Sequence, residues 1–334
     1  MKKTLVIGLD LGGTKIAAGV VDSAGRLRSS VRLKTPATGV KQDLAALFDA
    51  ASAAAQGAGV SLGAIRGVGV GVPGAHDPVT QTVWAPNLPG WEKVPLRRLL
   101  ERTLGCPAFV EGDRNVQALA EVWLAKGTEV RNLILLTVGT GIGAGIVAEG
   151  RLITGARGVA GAAGWMAIEK RWQKAFGRVG CLEFLGAGPA VARLARTALR
   201  KNPRSLMGKL AAKKGSAIDA ELVVAAARRG DSAARQVLEE VGSNLGRGVS
   251  SMISLLNPER VVLGGGLAAA ADFILRPLRR AVKQWAQPLG ARQVQIVKSS
   301  LGENAGVLGA ARYALLHLAS APQDTVRRGQ QRTR

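Results

Sequence analysis

Cysteine is nearly absent from this chain of 334 residues: Cys106 and Cys181 are the only two. Two thiols give no disulfide framework, and the expected setting is a reducing cytoplasm. Histidine is equally scarce. His76 falls in a turn spanning residues 74–78 and His317 near the end of a closing helix, and neither is placed as a general base. No run of eighteen apolar residues occurs, so no membrane span is expected. Met1-Lys2-Lys3 leads into an apolar stretch that stops at Asp10, which is no secretory signal. Aromatics make up only 4% of the chain, while hydrophobic residues, chiefly alanine, make up 47%, enough for a sizeable α/β core in two domains. Neither GxxxxGK[ST] nor the glycine spacing of a dinucleotide fingerprint is present, which excludes a P-loop and a Rossmann site.

Acidic residues are also few, 23 against 46 lysines and arginines, for a net charge of +23. Attraction to nucleic acid, nucleotide or polyphosphate is one meaning of such a charge, and a merely solvated basic surface is the other. The basic residues are scattered along helices, with clusters at 193–204, 209–214 and 327–334. No zinc finger, aromatic RNA-binding motif or separate basic arm accompanies them, so specific nucleic-acid binding is not expected. The polar tail at 321–334 is expected to be disordered.

Two glycine-threonine turns stand out against this background, each after an apolar strand and each before a second strand. The first is Asp10-Leu11-Gly12-Gly13-Thr14-Lys15, and the second is Gly139-Thr140-Gly141-Ile142-Gly143. Glycines there let backbone N–H groups point into a concavity that suits phosphate oxygens. Thr14 and Thr140 add hydroxyls, Lys15 adds charge, and Asp10 can hold magnesium through water. A plain tight hairpin is the alternative for each turn. Gly264-Gly265-Gly266 ends a third strand and suits close approach of an adenine or ribose, or else marks a crowded strand–helix junction.

Strands are expected at 4–9, 16–21 and 27–33, the last two joined by the Asp22-Ser23-Ala24-Gly25 turn. A helix at 44–56, a strand at 67–72, a helix at 95–104, a strand at 108–111 and a helix at 115–126 capped by Gly127 follow. The opening order then returns, with GGTKIAAGVVDSAGRL beside GTGIGAGIVAEGRL, as two related α/β domains. Helices at 189–199, 221–229, 233–256 and 305–317 and strands at 260–263 and 294–297 complete the reading. Asp113 falls between a strand and a helix. Among phosphate turns it suits removal of a proton from an attacking hydroxyl, and helix N-capping is its other common use.

These residues resemble the ROK family of the actin/hexokinase superfamily from about residue 4 to residue 318. DLGGTK and VGTGIGAGIV look like its two phosphate motifs, GVGVGVPG like the strand that opens the sugar site, and LLNPERVVLGGG like the segment flanking adenosine. APNLPGW resembles its sugar-contacting loop and implies that Asn87 holds a sugar hydroxyl. EGDRN resembles its E/N-N-D-x-N and implies that Asp113 is the catalytic base. Glu183 matches a sugar-binding glutamate of the family. Departures accompany the likeness. The family's G-E-x-G-H reads Gly161-Ala162-Ala163-Gly164-Trp165 here, and its C-x-C-G-x-x-G-C zinc loop keeps only Cys181 at 174–181. One thiolate builds no tetrahedral zinc site, so a zinc-free protein is expected, with Trp165 stacking on the sugar or, alternatively, turned inward to fill the lost loop's volume.

The resemblance implies two ribonuclease H-like α/β domains around a central cleft, 1–118 completed by a helix at about 305–320, and 119–304. It implies phosphorylation of a sugar hydroxyl by magnesium-ATP in a cytoplasmic homodimer. Gly12, Gly13, Thr14, Lys15, Gly139, Thr140, Gly141 and Gly264–Gly266 would hold the nucleotide, with Asp10 on the metal. A non-catalytic sugar or nucleotide sensor is the alternative function, and polyphosphate an alternative donor. No helix-turn-helix precedes the first strand, which argues against a DNA-binding regulator.

Overall fold

The computed structural model describes residues 3–124, 129–214 and 217–320, so the expected helix end at Lys126–Gly127 and the tail at 321–334 lie outside it. Two compact units emerge. The first gathers the described residues of Met1–Thr128, Thr154–Val159 and Leu301–Arg334, and the second those of Glu129–Ile153 and Ala160–Ser300. Among the described residues no helix is long and apolar enough to cross a membrane.

The first unit opens with β1 (Leu5–Leu11), β2 (Lys15–Asp22) and β3 (Val31–Lys34), then α1 (Val40–Gly57) and β4 (Val68–Val72). The hairpin β5 (Ala75–Asp77) and β6 (Thr82–Trp84), α2 (Leu96–Leu104), β7 (Ala108–Gly112) and α3 (Asp113–Trp123) follow. The second unit holds β8 (Leu133–Val138), β9 (Ile142–Ala148), β10 (Arg151–Leu152), the short α4 (Phe176–Val179) and α5 (Cys181–Gly186), and α6 (Gly188–Lys201). Then come α7 (Leu206–Lys214), α8 (Ala220–Arg228), α9 (Ser232–Leu256), β11 (Arg260–Gly264), α10 (Ala271–Trp285), α11 (Pro288–Gln293) and β12 (Gln295–Lys298). Finally α12 (Ala305–Ser320) belongs to the first unit.

The two sheets share one topology, β3-β2-β1-β4-β7 in the first unit and β10-β9-β8-β11-β12 in the second. In each, three antiparallel strands lead to two parallel ones. The internal repeat read in the sequence corresponds to these matching sheets. The central strands β1 and β4 are buried almost throughout, as near-continuous apolar runs should be when both faces are covered. The turn after β2 is held by buried Asp22, whose Oδ1 accepts from the N–H groups of Ala24 (2.9 Å) and Arg26 (3.1 Å). Its Oδ2 accepts from Arg28 Nη2 at 2.6 Å.

Several expected boundaries need correction. The strand foreseen at 27–33 is shorter, because Ser29 leaves the ladder: its hydroxyl accepts from Val20 N (3.2 Å) and donates to Ala54 O (2.6 Å). His76 sits in β5 rather than in a turn. A domain border at 118 would cut α3, which is a continuous helix wholly within the first unit. The long α10 was not foreseen because it contains Pro277, whose missing N–H ordinarily ends a helix.

Glycines set how closely the layers approach. A β-carbon on Gly8 or Gly69 would overlap the carbonyl of Val307 or Ala310, and one on Gly309 that of Val116, so α12 lies directly on β1, β4 and α3. Adding that carbon should therefore force the helix off the sheet. Gly69→Ala and Gly309→Ala are each expected to lose about 1–3 kcal/mol or more of stability. Gly63→Ala, whose new carbon would have its nearest neighbour 3.9 Å away at Ser61 Oγ, should stay within about 0.5 kcal/mol. Urea unfolding of the three variants checks this, and equal midpoints would contradict it.

Candidate active site

In the first unit β1, β4 and β7 run parallel, with Asp10 opposite Gly71 and Gly71 opposite Glu111. The absence of a side chain at 71 matters. A β-carbon there would lie 3.5 Å from Asp10 Oδ1, 3.5 Å from the Asp113 Cα and 2.9 Å from Val116 Cγ2. Asp10 and Asp113 thus flank one glycine at the strand ends. On its other side the Asp10 carboxylate packs against Gly306 of α12, where a β-carbon would overlap it. Burial and the negative charge of Asp113 push the Asp10 carboxyl up to about 7, with Lys15 opposing them.

Asp113 is the first residue of α3. The N-cap is Gly112, so side-chain capping is not what Asp113 does. Its Oδ1 accepts from Arg114 N at 2.7 Å and lies 3.8 Å from Arg114 Nε. Burial raises its carboxyl above the usual range, and Arg114 offsets part of that rise. Beneath it Glu111 Oε1 accepts from Gly112 N (2.8 Å) and Asn115 Nδ2 (2.9 Å), pinning the strand-to-helix corner. The Tyr313 hydroxyl of α12 lies 3.5 Å from Glu111 Oε2. This clamp was missed in the sequence, although a carboxylate and an amide four residues apart across a strand–helix junction are its signal.

The first glycine turn is tight and pinned. Gly12 N donates to Lys15 O (2.9 Å), Thr35 N to Thr14 O (3.0 Å) and Thr35 Oγ1 to Gly12 O (2.7 Å). Thr14 and Lys15 are exposed. Lys15 Nζ pairs with Glu303 at 3.2 Å, itself 3.4 Å from Arg32 Nε. Such exposed pairs contribute little, so a phosphate can take over the lysine. Asn87 is brought beside this turn, with its Cβ 3.9 Å from a β-carbon placed on Gly13. Its loop is shaped by Trp91, whose backbone carbonyl accepts from Ala85 N (2.8 Å) and whose buried indole donates to Asp43 Oδ2 (3.0 Å).

The second unit carries the other turn. Gly139 N donates to Gly141 O (2.9 Å) and Gly188 N, at the start of α6, to Gly139 O (2.8 Å). Glu183 of α5 reaches the same turn, where its Oε2 accepts from Ile142 N at 2.7 Å and would lie 2.8 Å from a β-carbon on Gly141. Gly264 ends β11. Gly265 has φ 79° and is crowded, since a β-carbon would come within 2.5 Å of Val138 O, whereas Gly266 has nothing within 4 Å. The crowded-junction reading therefore holds for Gly265, and Gly266 is open to a ligand. Gly139, Thr140 and Gly266 share a cavity of about 630 Å³ with apolar Ile218, Val224 and Leu267. Ile218 lies just before α8, Val224 on it and Leu267 just after β11, and none of the three carries a motif.

Ala162 and Trp165 also fall in the second unit, Ala162 just before and Trp165 at the end of the single helical turn Ala163–Trp165. Trp165 is 59% exposed, so its ring does not turn inward to fill a lost volume. Gly164 is needed next to it, because a β-carbon would stand 2.9 Å from Ile142 O and 3.0 Å from Glu183 Cβ. Cys181 is buried at the start of α5. Among the described residues no cluster of three or more His, Cys, Asp and Glu is assembled. A buried carboxylate of raised pKa beside a second one suits a hard divalent cation that takes its remaining ligands from water and phosphate.

A model of the ROK family matches residues 6–316. A glucokinase of Thermotoga maritima is 34% identical over 314 residues, covering 93% of this chain and 97% of that protein. The crystal structure of a ROK hexokinase from Thermus thermophilus is 34% identical, with a TM-score of 0.76 over 95% of this chain and 100% of that one. A ROK glucokinase from Streptomyces griseus, solved with glucose and AMPPNP, is 31% identical, with a TM-score of 0.78 over 93% of this chain and 99% of that one.

The raised Asp10 carboxyl has a measurable consequence. In the unfolded chain it gives up its proton near 3.8, in the folded one only at about 7. Between those values the folded state holds the extra proton, and stability contributed by it is lost as pH rises through the window. Asp10→Asn, without added metal, should therefore raise the thermal midpoint at pH 8, with the gain shrinking toward pH 5. A gain independent of pH, or none, would contradict it.

Proposed function

The chain belongs to the ROK family, and we propose that it is an ATP-dependent kinase of a sugar hydroxyl. The observation that carries this reading is Asp113: a half-buried carboxylate of raised proton affinity just past the end of β7, with Asp10 near the end of β1 and only Gly71 of β4 between the two strands. The glucokinase relatives and the nucleotide-bound structure of a family member support the same reading.

Phosphoryl transfer asks a protein mainly to position groups and neutralise charge. The amides and hydroxyls of the turns at Gly12–Lys15 and Gly139–Gly141 would hold phosphate oxygens, and Lys15 would exchange Glu303 for them. Adenosine would lie in the apolar cavity beside Gly266. Asp10 would hold magnesium, which supplies charge neutralisation on the phosphate chain. Asp113 would accept the proton of the acceptor hydroxyl, and the Glu111–Asn115 clamp keeps its carboxylate at the corner from which it can do so. Asn87, Glu183 and Trp165 would bind the acceptor, with Trp165 offering an apolar face to sugar C–H groups. One oxygen of Glu183 is already committed to Ile142 N, which leaves the other for a sugar hydroxyl. No zinc takes part in this scheme. A cytoplasmic homodimer remains part of the proposal.

Ala162 and Trp165, where the family's pattern has a glutamate and a histidine, favour a second reading in which the protein binds sugar or nucleotide without turnover. Two variants separate the two. Asp113→Asn preserves shape but cannot accept a proton, and should lower sugar-dependent ADP release about 10²–10⁴-fold while nucleotide affinity is kept. A mutant as fast as wild type on every sugar would leave Asp113 without a catalytic role. Trp165→Ala should change the ranking of sugars in KM rather than the thermal midpoint. A lowered midpoint with an unchanged ranking would make Trp165 structural.

A further inference from the structure

His76 has no part in the proposed transfer. It is the middle residue of β5, opposite Val83 of β6. Its Nε2 is buried and, among the described residues, has no hydrogen-bond partner. Buried polar atoms are nearly always paired, so an orphan of this kind calls for a cause. The backbone around it is held firmly. Arg157 Nη1 lies 3.3 Å from Asp77 Oδ2, and a β-carbon on Gly158 would overlap the His76 carbonyl oxygen. At the head of the hairpin, Gly74 O would stand 3.4 Å from a β-carbon on Gly112, the N-cap of α3.

Three charged groups act on the ring: Glu111 of β7, Asp77 of its own strand and Arg97 of α2. Burial lowers the proton affinity of His76, the two carboxylates oppose this, and Arg97 adds to it. The imidazole is therefore held neutral and carries one N–H. Two of its neighbours are already satisfied. Arg97 Nε donates to Glu101 at 3.0 Å, and Asp77 accepts from Val79 N (2.8 Å) as well as pairing with Arg157. Glu111 is not. It is buried, its Oε1 serves Gly112 N and Asn115 Nδ2, and its Oε2 has only the Tyr313 hydroxyl at 3.5 Å, the outer limit of a hydrogen bond. An orphaned imidazole nitrogen and an under-used carboxylate oxygen thus belong to one cluster.

The same hairpin carries the loop of Asn87. Val83 N donates to Val94 O (2.8 Å) and Val94 N to Val83 O (3.0 Å), which closes the base of the segment between them. A ligand held at Asn87 therefore bears on β6 and, through it, on His76. We propose that His76 is a positioning residue that links acceptor binding to the base: with a sugar at Asn87, its Nε2–H donates to Glu111 Oε2 and fixes the corner from which Asp113 takes the proton. This inference rests on the kinase reading. His76 gives up no proton in the step. It completes the clamp on Glu111, and because transfer depends on exact placement of the base, its effect falls on turnover and not on nucleotide affinity.

Glucose, mannose and N-acetylglucosamine, each offered with magnesium-ATP to the full chain, first identify the sugar turned over fastest. With that sugar, His76→Phe keeps the bulk of the ring without its nitrogens and should lower kcat about ten-fold while KM for ATP stays within about two-fold. His76→Gln restores an N–H at similar reach and should recover kcat to within about three-fold of wild type. A Phe variant as fast as wild type, or a Gln variant no faster than the Phe variant, would overturn the proposal. The chain has only two histidines, so both imidazoles can be followed by NMR in tag-free protein labelled at histidine, with His317→Gln assigning them. Saturating sugar should move the His76 Nε2 signal to that of a bonded donor and raise its titration midpoint, because a carboxylate partner favours the imidazolium. A His76 signal that sugar leaves in place would overturn the proposal even if the Phe variant fails to fold. Wild-type protein that binds ATP but turns over none of the sugars would remove the kinase reading and this inference with it, whereas turnover with an unmoved His76 would remove this inference alone.

Discussion

The close seat of α12 on β1 and β4 is the constraint on which the Asp10–Asp113 corner depends. Backbone meets backbone at Gly8, Gly69 and Gly309 because none of them carries a side chain. That contact brings Gly306 against the Asp10 carboxylate and Tyr313 toward Glu111. The parallel register then places Asp10, Gly71 and Glu111 in one row, and the chain turns into α3 immediately after. A single added methyl group at any of these glycines would move a carboxylate rather than merely a helix. The same burial has two effects. It makes ionised Asp10 costly, and it raises the proton affinity of Asp113, which suits a base that must take a proton.

The second unit repeats the sheet but not the chemistry. Its turn has no carboxylate at the position of Asp10 and no lysine at that of Lys15. Its anchors come from outside the sheet, from Glu183 on α5 and Gly188 at the head of α6. A backbone turn held by hydrogen bonds on both sides offers its free amides in a fixed direction, which is what an anion site requires. In this half the charges lie on the helices, where Arg193 and Arg196 project beside the turn rather than from it.

What the sequence disclosed follows from the range of the signals. Strand–turn–strand patterns, glycine pairs and the repeat are local, and β1, β2, β8, β9 and β11 were found within a few residues. Asp113 was legible because its position after a strand and before a helix is local too. The β5–β6 hairpin escaped because its strands are three residues each, and α10 because Pro277 masks it. Pro277 packs against α9, its Cγ standing 2.6 Å from a β-carbon placed on Gly242, a contact that no window along the chain contains. The cavity beside Gly266 is assembled from residues as distant as Gly139 and Ala270, and charge patterning alone did not show which arginines converge near Thr140.

This division explains how one half of a site can hold while the other drifts. The glycine turns are built from backbone, and three of their glycines answer to a neighbouring carbonyl or carboxylate: Gly12 to Lys15, Gly141 to Glu183, Gly265 to Val138. Substitution there strains the fold itself, so such positions are held by stability as much as by function. Acceptor recognition is different. Asn87 and Trp165 are exposed, while Gly164 and Trp91 sit in tight or buried contacts of their loops. A residue of that kind can be exchanged at little cost to folding, and the exchange alters which hydroxyl-bearing ligand is welcomed without disturbing Asp113. Ala162 and Trp165 would, on the kinase reading proposed above, be changes of this kind, bearing on specificity rather than on the transfer chemistry.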